Sequence, residues 1–363
     1  MPSAFAAVMS TGLAAGVAAL VAVAALGVVD GVVAGVAAPQ EIAMPSIAAT
    51  SDRRMNTLPI GSSLSTMGVE HWTRKGDVRL FLWEKPALGG TKPRGAILFV
   101  HGSSMASQAT FDLQIPGRPS AMDHFAGLGF DTWCVDMEGY GRSDKHRDNS
   151  ADIANGADDL LAAADHIRSV RGVERLMLYG ISSGALRAAL FAQRHPERVA
   201  RLALDALVWT GEGSVTLRER RARLPEYRAR NRRPIDRAFV HGIFARDHPG
   251  TADDAVVDAF ADAILALDDS MPTGTYVDMC ANLPLVDPEK LDVPTLVMRG
   301  EYDGIASLQD LVKFFEKLPN PDKQFAVMPG IAHASFHQKN YAICYHILAS
   351  FFSQPSPIYR SGH

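Results

Sequence analysis

The stretch Leu178-Tyr179-Gly180-Ile181-Ser182-Ser183-Gly184-Ala185 places the pattern Gly-x-Ser-x-Gly between an apolar run and a helical pattern. A strand that turns sharply into a helix exposes the hydroxyl of the central serine, and small residues on both sides avoid steric clashes. The first amides of the following helix point toward the same place and favour negative charge there. The pattern therefore predicts Ser182 as a nucleophile, and the alternative is a structural turn with an incidental serine.

Short apolar runs alternate with helical patterns on both sides of this stretch. Such alternation is typical of an α/β fold, a mostly parallel sheet with helices on both faces. The first two runs flank Lys75-Gly76-Asp77 and predict an antiparallel hairpin. The eight predicted strands are Val69–Trp72, Val78–Trp83, Ala96–Val100, Asp131–Val135, Leu176–Tyr179, Leu202–Leu204, Thr295–Met298 and Gln324–Met328. The predicted helices are Ala121–Leu128, Ile153–Val170, Ala185–His195, Leu308–Leu318 and Tyr341–Phe352.

One long segment interrupts the alternation after the sixth strand. Residues 209–285 contain helical patterns broken by prolines and no convincing strand, which predicts a helical cap inserted into the sheet domain. The cap separates a first part of the core, residues 51–208, from a second part, residues 286–363. Residues 1–50 form a distinct apolar segment followed by a linker.

A serine hydroxyl is a weak nucleophile until a base accepts its proton, and histidine is the natural base near neutral pH. His333 lies in a loop directly after the last apolar run, which is where the order nucleophile, acid, histidine places the base. His337 is the second choice, with a surface histidine as the alternative explanation of its presence. The sequence therefore predicts His333 as the base that activates Ser182.

The third member of such a set is a carboxylate that holds the imidazole in one tautomer. Asp303 follows the seventh apolar run at the edge where active-site groups of these sheets collect. Asp205 ends the sixth run and is the alternative acid. Either carboxylate could instead cap a helix or pair with an arginine, and we favour Asp303.

Backbone amides should stabilise the oxyanion that forms when the serine attacks a carbonyl. One predicted donor is the amide of Ser183, the residue after the nucleophile. The other lies in the loop after His101-Gly102, with Ser103 favoured and Ser104 as the alternative. His101 itself is interpreted as structural, its ring fixing that loop.

These motifs together resemble the α/β-hydrolase superfamily, in particular its capped, esterase- and lipase-like serine members. The resemblance spans residues 69–352 and rests on the motifs quoted above together with Asp136-Met-Glu-Gly139-Tyr-Gly141-Arg-Ser143. It implies an α/β-hydrolase fold and hydrolysis of a carboxylic ester through an acyl-enzyme, with no cofactor and no metal. Relatives that carry similar loops but use an aspartate nucleophile are disfavoured by Ser182. Alternatives on the same residues are a lactonase, an amidase or peptidase, a C–C hydrolase, and a non-catalytic ligand-binding protein.

The cap contains two features that bear on the substrate. Residues 217–237 include nine arginines against three acidic residues, and we interpret them mainly as a solvated helical face. The alternative is a cationic lid that attracts an anionic substrate. Trp209 is predicted to form a wall of the substrate pocket, because it closely follows the strand that ends near Asp205, and Ser104 is a second predicted substrate contact.

Composition limits the remaining possibilities. A formal net charge of −4 disfavours a nucleic-acid partner, and an apolar fraction of 47% is enough for a large core. The three cysteines lack zinc-site spacing, so we expect buried free thiols, with a single Cys280–Cys344 bridge as the alternative. The expected partner is a small-molecule ester, and the sequence does not indicate an oligomeric state.

The apolar N-terminal segment resembles an export signal, with Asp30 as the only charged residue between Ala4 and Ala38. We therefore expect a periplasmic or secreted protein. No Lys or Arg precedes the apolar run, and the run exceeds the usual signal core. The alternatives are consequently an uncleaved membrane anchor, which would make the membrane a stable partner, and a cytoplasmic protein.

Overall fold

The computed structural model describes residues 67–90 and 92–359. The predictions of an export signal or an anchor fall on residues outside these ranges. Ten strands lie within the described ranges: β1 (Val69–Lys75), β2 (Val78–Lys85), β3 (Ala96–Val100), β4 (Asp131–Val135), β5 (Leu176–Ile181), β6 (Val199–Asp205), β7 (Arg232–Pro234), β8 (Ser270–Pro272), β9 (Thr295–Gly300) and β10 (Lys323–Met328).

Helices cover the sheet and build the cap. Within the same ranges they are α1 (Ser107–Phe111), α2 (Ala121–Gly127), α3 (Ile153–Arg171), α4 (Ser183–Arg194), α5 (Val215–Arg221), α6 (Leu224–Arg228), α7 (Arg237–Ala245), α8 (Asp254–Leu265), α9 (Gly274–Val277), α10 (Leu308–Lys317) and α11 (Tyr341–Ser353). The segments α5 to α9 form the cap, between β6 and β9.

The main sheet has the strand order β1-β2-β4-β3-β5-β6-β9-β10. The pairs β1–β2 and β2–β4 are antiparallel, and the other neighbours are parallel. Every residue of the central strand β3 is buried, which explains its continuous apolar sequence. The predicted α/β-hydrolase fold, with a mostly parallel eight-stranded sheet and a helical cap after the sixth strand, is confirmed.

This topology positions the candidate site. The parallel strands β3, β5, β6 and β9 all end at one edge of the sheet, so the loops that follow them meet there. These loops carry Ser103, Ser182 and Asp303, and Asp205 is the last residue of β6.

The cap contains a small antiparallel pair that the sequence does not reveal. Strands β7 and β8 pair over three residues each. Both strands end in proline, and because proline cannot donate to a ladder, such segments do not resemble strands in sequence.

All three cysteines are buried and free, so the expectation of buried thiols is confirmed and the Cys280–Cys344 bridge is wrong. The physical reason is their environment, because Cys344 lies fully buried in α11 whereas Cys280 belongs to the cap. None of the helices in the described part of the chain is both long and apolar enough to cross a bilayer.

Candidate active site

Ser182 occupies the turn between β5 and α4 in a strained backbone conformation. Its φ is 58° and its ψ is −123°, in a region that non-glycine residues rarely adopt. Its amide donates to the carbonyl of Asp205 at 2.9 Å, which ties the turn to the end of the neighbouring strand. Ser182 is the N-cap residue of α4, yet its side chain makes no capping hydrogen bond. The hydroxyl is therefore not committed to the helix terminus.

The glycines of the motif are required by close backbone approach. A Cβ atom on Gly180 would overlap the carbonyl of Gly184, and one on Gly184 would overlap the carbonyl oxygen of Val100. Since these neighbours are backbone atoms of packed elements, they cannot move aside cheaply. The tight crossing of α4 over β3 and β5 thus explains why small residues flank the serine.

His333 and Asp303 are in direct contact. The Nδ1 atom of His333 lies 3.1 Å from Oδ2 of Asp303, and both residues are buried. The other carboxylate oxygen accepts the amides of Ile305 at 2.8 Å and Ala306 at 3.1 Å. Burial alone would raise the pKa of Asp303, but His333 and these amides outweigh it and lower the pKa to about 2. Asp303 is consequently an anion that orients the imidazole through Nδ1.

Asp205, the alternative acid, has a different environment. It is fully buried, and its Oδ2 accepts the hydroxyl of Tyr179 at 2.7 Å. Burial raises its pKa to about 7, despite the opposing hydrogen bonds from Tyr179 and Ser335, and the nearby charge of Asp303 acts in the same direction as burial. Asp205 therefore lies close to the His333–Asp303 pair but carries less negative charge at neutral pH.

His337, the second choice of base, is neither at the surface nor paired with an acid. It is buried, with its ring centroid 4.6 Å from that of Phe260. Burial lowers its pKa to about 3, and Arg118 acts in the same direction. The explanation of His337 as a surface histidine is wrong, because the residue packs between the cap helix α8 and the core.

The loop after β3 is fixed by His101 and contacts the cap. His101 donates through Nδ1 to the carbonyl of Gly102 at 2.7 Å, and its Nε2 accepts the amide of Met137 at 3.1 Å. Burial lowers the pKa of His101 to about 3, so the ring is neutral and structural. Ser103 and Ser104 follow, and the hydroxyl of Ser104 lies 2.9 Å from that of Tyr276 in the cap.

Tyr276 is a residue that the sequence does not single out. Its hydroxyl accepts from Nη2 of Arg233 at 2.7 Å, and the guanidinium groups of Arg220 and Arg233 lie 4.9 Å and 4.4 Å from its ring centroid. Burial would raise the pKa of this phenol, but the two arginines and the hydroxyls of Ser104 and Ser103 lower it to about 7. A lone tyrosine in a cap helix has no motif that could have indicated this position.

A second cap residue, Asp247, reaches the His333–Asp303 pair. One ligand-type atom from each of the three residues lies within 4.8 Å of the others. Asp247 forms two hydrogen bonds with Arg246, at 2.8 Å and 2.9 Å, so its charge is balanced within the cap. It follows α7 without any recognisable spacing to Asp303, so no pattern in the sequence indicates it.

A cavity of about 520 Å³ lies within the cap. This size is typical of small-molecule sites. The residues around it come from α5, α6, β7, α7 and the positions that flank these elements, together with Tyr276, and they combine apolar side chains with four arginines: Arg220, Arg223, Arg233 and Arg246.

Trp209 lies elsewhere, although the sequence predicts it as a pocket wall. It is not among the residues that line the cap cavity. Its Nε1 donates to the carbonyl of Val286 at 3.2 Å, and its ring contacts Phe314 edge-to-face at a centroid distance of 6.0 Å. Its described contacts are packing contacts, and a part in the substrate pocket stays a prediction.

The sheet order, the cap after β6 and the strained serine turn define an α/β-hydrolase fold. A family model described as "Serine aminopeptidase, S33" matches residues 91–340, and the chain belongs to this hydrolase family.

Solved structures similar to this chain include an esterase from Thermogutta terrifontis, with 20% identity, a TM-score of 0.57, and 79% of this chain and 100% of that chain covered. A monoglyceride lipase from Saccharomyces cerevisiae has 18% identity and a TM-score of 0.60, and the match covers 81% and 97% of the two chains. An enol-lactonase from Burkholderia xenovorans has 15% identity and a TM-score of 0.58, with coverage of 78% and 100%. At these identities the likeness extends to the fold.

Proposed function

We propose that this protein is a serine esterase that hydrolyses a carboxylic ester through an acyl-enzyme. The observation that carries the proposal is the 3.1 Å contact between His333 Nδ1 and Asp303 Oδ2 at the sheet edge where the strained turn presents Ser182. An imidazole that donates from Nδ1 to a carboxylate keeps Nε2 free to accept a proton. This is the tautomer that a general base for the serine hydroxyl requires.

The proposed reaction has two halves. The Ser182 oxygen bonds to the ester carbonyl carbon while His333 takes the hydroxyl proton, and the collapse of the intermediate releases the alcohol with that proton. Water then attacks the acyl-enzyme, His333 accepts a proton from it, and the carboxylic acid leaves as Ser182 regains its hydrogen. Asp303 stays ionised throughout and stabilises the imidazolium.

The oxyanion donors in this proposal are the amides of Ser183 and Ser103. Ser183 is the first residue of α4, where backbone amides have no partner within the helix. The positive end of the helix dipole adds to their effect. Ser103 lies in the loop that His101 fixes through Gly102 and Met137, and a fixed loop favours a preorganised amide.

The family description also raises an aminopeptidase as a rival activity. An aminopeptidase must hold the amino end of a peptide, which is a cation when protonated. Four arginines line the cap cavity, two of them (Arg220 and Arg233) without an ion pair in the described part of the chain, and the acidic residue among its lining side chains, Glu219, is exposed. Because this charge repels an ammonium group, we favour the esterase.

The test is hydrolysis of p-nitrophenyl butyrate by the purified protein and by Ser182→Ala. We expect turnover by the wild type and a loss of at least about a thousandfold in the variant, the scale on which triad members act. Ser169→Ala, at an exposed serine of α3, is the matched control and should retain full activity. Equal rates in Ser182→Ala and wild type would contradict the proposal, and hydrolysis of alanine p-nitroanilide in preference to the ester would favour the aminopeptidase.

A further inference from the structure

Two arginines of the cap cavity lack carboxylate partners. Arg220 lies on α5 and Arg233 on β7, and both are half-buried. In the part of the chain that the structure describes, their closest interactions are with Tyr276 and, for Arg233, with the sulfur of Met271 and the ring of Phe239. No ion pair forms with either guanidinium among residues 67–90 and 92–359.

The other arginines near the cavity are already paired. Arg223 donates to Glu226 at 2.9 Å, and Arg246 donates to Asp247 at 2.8 Å. Outside the cavity, the exposed Arg237 forms ion pairs with acidic residues of α8. Of the four arginines that line the cavity, Arg223 and Arg246 thus have an acidic partner in the described part of the chain, and Arg220 and Arg233 have none.

Partly desolvated cations without counter-charges are costly, and an anion that enters the cavity removes this cost. Guanidinium groups suit this task because their planar donors match a carboxylate in a two-point contact. Tyr227, Phe239 and Ile243 supply an apolar surface beside the charged groups, as small-molecule sites commonly do.

We infer that the cap cavity binds a carboxylate of the substrate, so that the natural substrate is an ester that carries a second, free carboxylate group. The inference rests on the proposed esterase function and names the class of ester. A single carboxylate is favoured over a doubly charged phosphate, because the two guanidinium groups are already partly balanced by the exposed Glu219 and by the Tyr276 hydroxyl, whose pKa, despite burial, they lower to about 7.

Two contacts join this anion site to the catalytic residues. The Tyr276 hydroxyl, which accepts from Arg233, lies 2.9 Å from the hydroxyl of Ser104 in the proposed oxyanion loop. Arg246, which also lines the cavity, donates to Asp247, and Asp247 lies next to the His333–Asp303 pair. The cavity is lined by cap residues, and Tyr276 and Arg246 are the lining residues through which it adjoins the catalytic loops.

The test compares monomethyl adipate with methyl hexanoate. The two esters have the same chain length and differ in the terminal group, which is a carboxylate in the first and a methyl group in the second. The measured quantity is the ratio of kcat/KM for monomethyl adipate to kcat/KM for methyl hexanoate. We expect this ratio to be well above one in the wild type. The double variant Arg220→Gln with Arg233→Gln should lower it at least tenfold, mainly by raising KM for monomethyl adipate. A variant with Arg233→Lys in place of Arg233→Gln should keep part of the ratio that the double variant loses. Arg237→Gln, the surface control, should leave both rates unchanged.

Two results overturn the anion site and leave the esterase proposal standing, provided that methyl hexanoate is still hydrolysed. One is a ratio near one in the wild type. The other is a ratio that the double variant leaves unchanged. Calorimetry of Ser182→Ala protein with monomethyl adipate tests the anion site without relying on ester hydrolysis. Binding that Arg220→Gln with Arg233→Gln abolishes supports the anion site even in a protein that hydrolyses no ester. If monomethyl adipate does not bind, the inference is wrong.

Discussion

Replacing Asp303 and, separately, Asp205 by asparagine tests which of two neighbouring carboxylates serves the base. Asp303→Asn keeps the size of the side chain but removes the charge that faces Nδ1 of His333 at 3.1 Å. The amide group that it introduces can hold the imidazole in the wrong tautomer. Asp205→Asn, by contrast, keeps an oxygen that accepts the hydroxyl of Tyr179.

The magnitudes follow from these contacts. Loss of the carboxylate that orients a catalytic histidine lowers kcat about 10⁴-fold in the Ser-His-Asp template, and we expect this scale for Asp303→Asn. Asp205→Asn should stay within about tenfold of the wild type, because no hydrogen bond joins Asp205 to His333 in the described structure. The pKa of Asp303 falls from 3.8 to about 2 on folding, so its charge contributes roughly 2 kcal/mol of stability at neutral pH.

The stabilisation that ionised Asp303 provides depends on pH. A depressed pKa in the folded state stabilises the protein above pH 3.8, and the contribution is lost as the pH falls through about 2. Hydrolysis of p-nitrophenyl butyrate gives the activity ratio, and urea unfolding at pH 7 and at low pH gives the stability difference. An activity collapse in Asp205→Asn alone would refute the assignment of Asp303 as the acid.

Three further predictions concern the surroundings of the site. Gly184→Ala should lower the free energy of unfolding by several kcal/mol and abolish hydrolysis, because the new Cβ overlaps the Val100 carbonyl. Urea unfolding measures this loss, and a Gly184→Ala variant with the stability of the wild type would contradict the prediction. The pKa of Asp205 is raised from 3.8 to about 7, so its ionisation opposes folding as the pH rises between these values. The stability of Asp205→Asn relative to wild type should therefore increase by up to roughly 4 kcal/mol between pH 4 and pH 8, and a constant difference would argue against the raised pKa. All three cysteines should resist thiol reagents until the protein is unfolded in urea, and rapid labelling of the native protein would contradict their burial.

The core of the fold was predictable because its central strands, such as β3, β4 and β9, are buried on both faces and therefore give mostly apolar runs. Each predicted strand corresponds to an observed one, and the differences are confined to the ends, as for β6, which begins at Val199 rather than Leu202. The serine turn was predictable for a related reason. Its backbone geometry requires glycine at two fixed positions, and these glycines are visible in the sequence.

The cap was predictable only as a mostly helical segment. Its short strands contain proline and arginine, so their pairing depends on tertiary contacts rather than on local preference. In sequence, Arg220 and Arg233 do not differ from the seven other arginines of residues 217–237, and such a charge run is typical of a solvated helical face. Only the fold shows which of these arginines line the cavity and which of the lining arginines have an acidic partner.

The contacts between the cap and the catalytic loops were also beyond the sequence. Tyr276 and Ser104 are separated by 172 residues, and no periodicity connects them. Asp247 reaches the His333–Asp303 pair because α7 ends above it. Such juxtapositions arise from the packing of an inserted segment on the core and leave no local pattern.

The identity of the nucleophile is tested most directly by mass spectrometry after treatment with a fluorophosphonate, which forms a covalent bond with an activated serine. We expect one adduct per chain, on the peptide that contains Ser182, and no adduct in Ser182→Ala. An adduct on a different serine, or an unlabelled wild-type protein that still hydrolyses p-nitrophenyl butyrate, would contradict it.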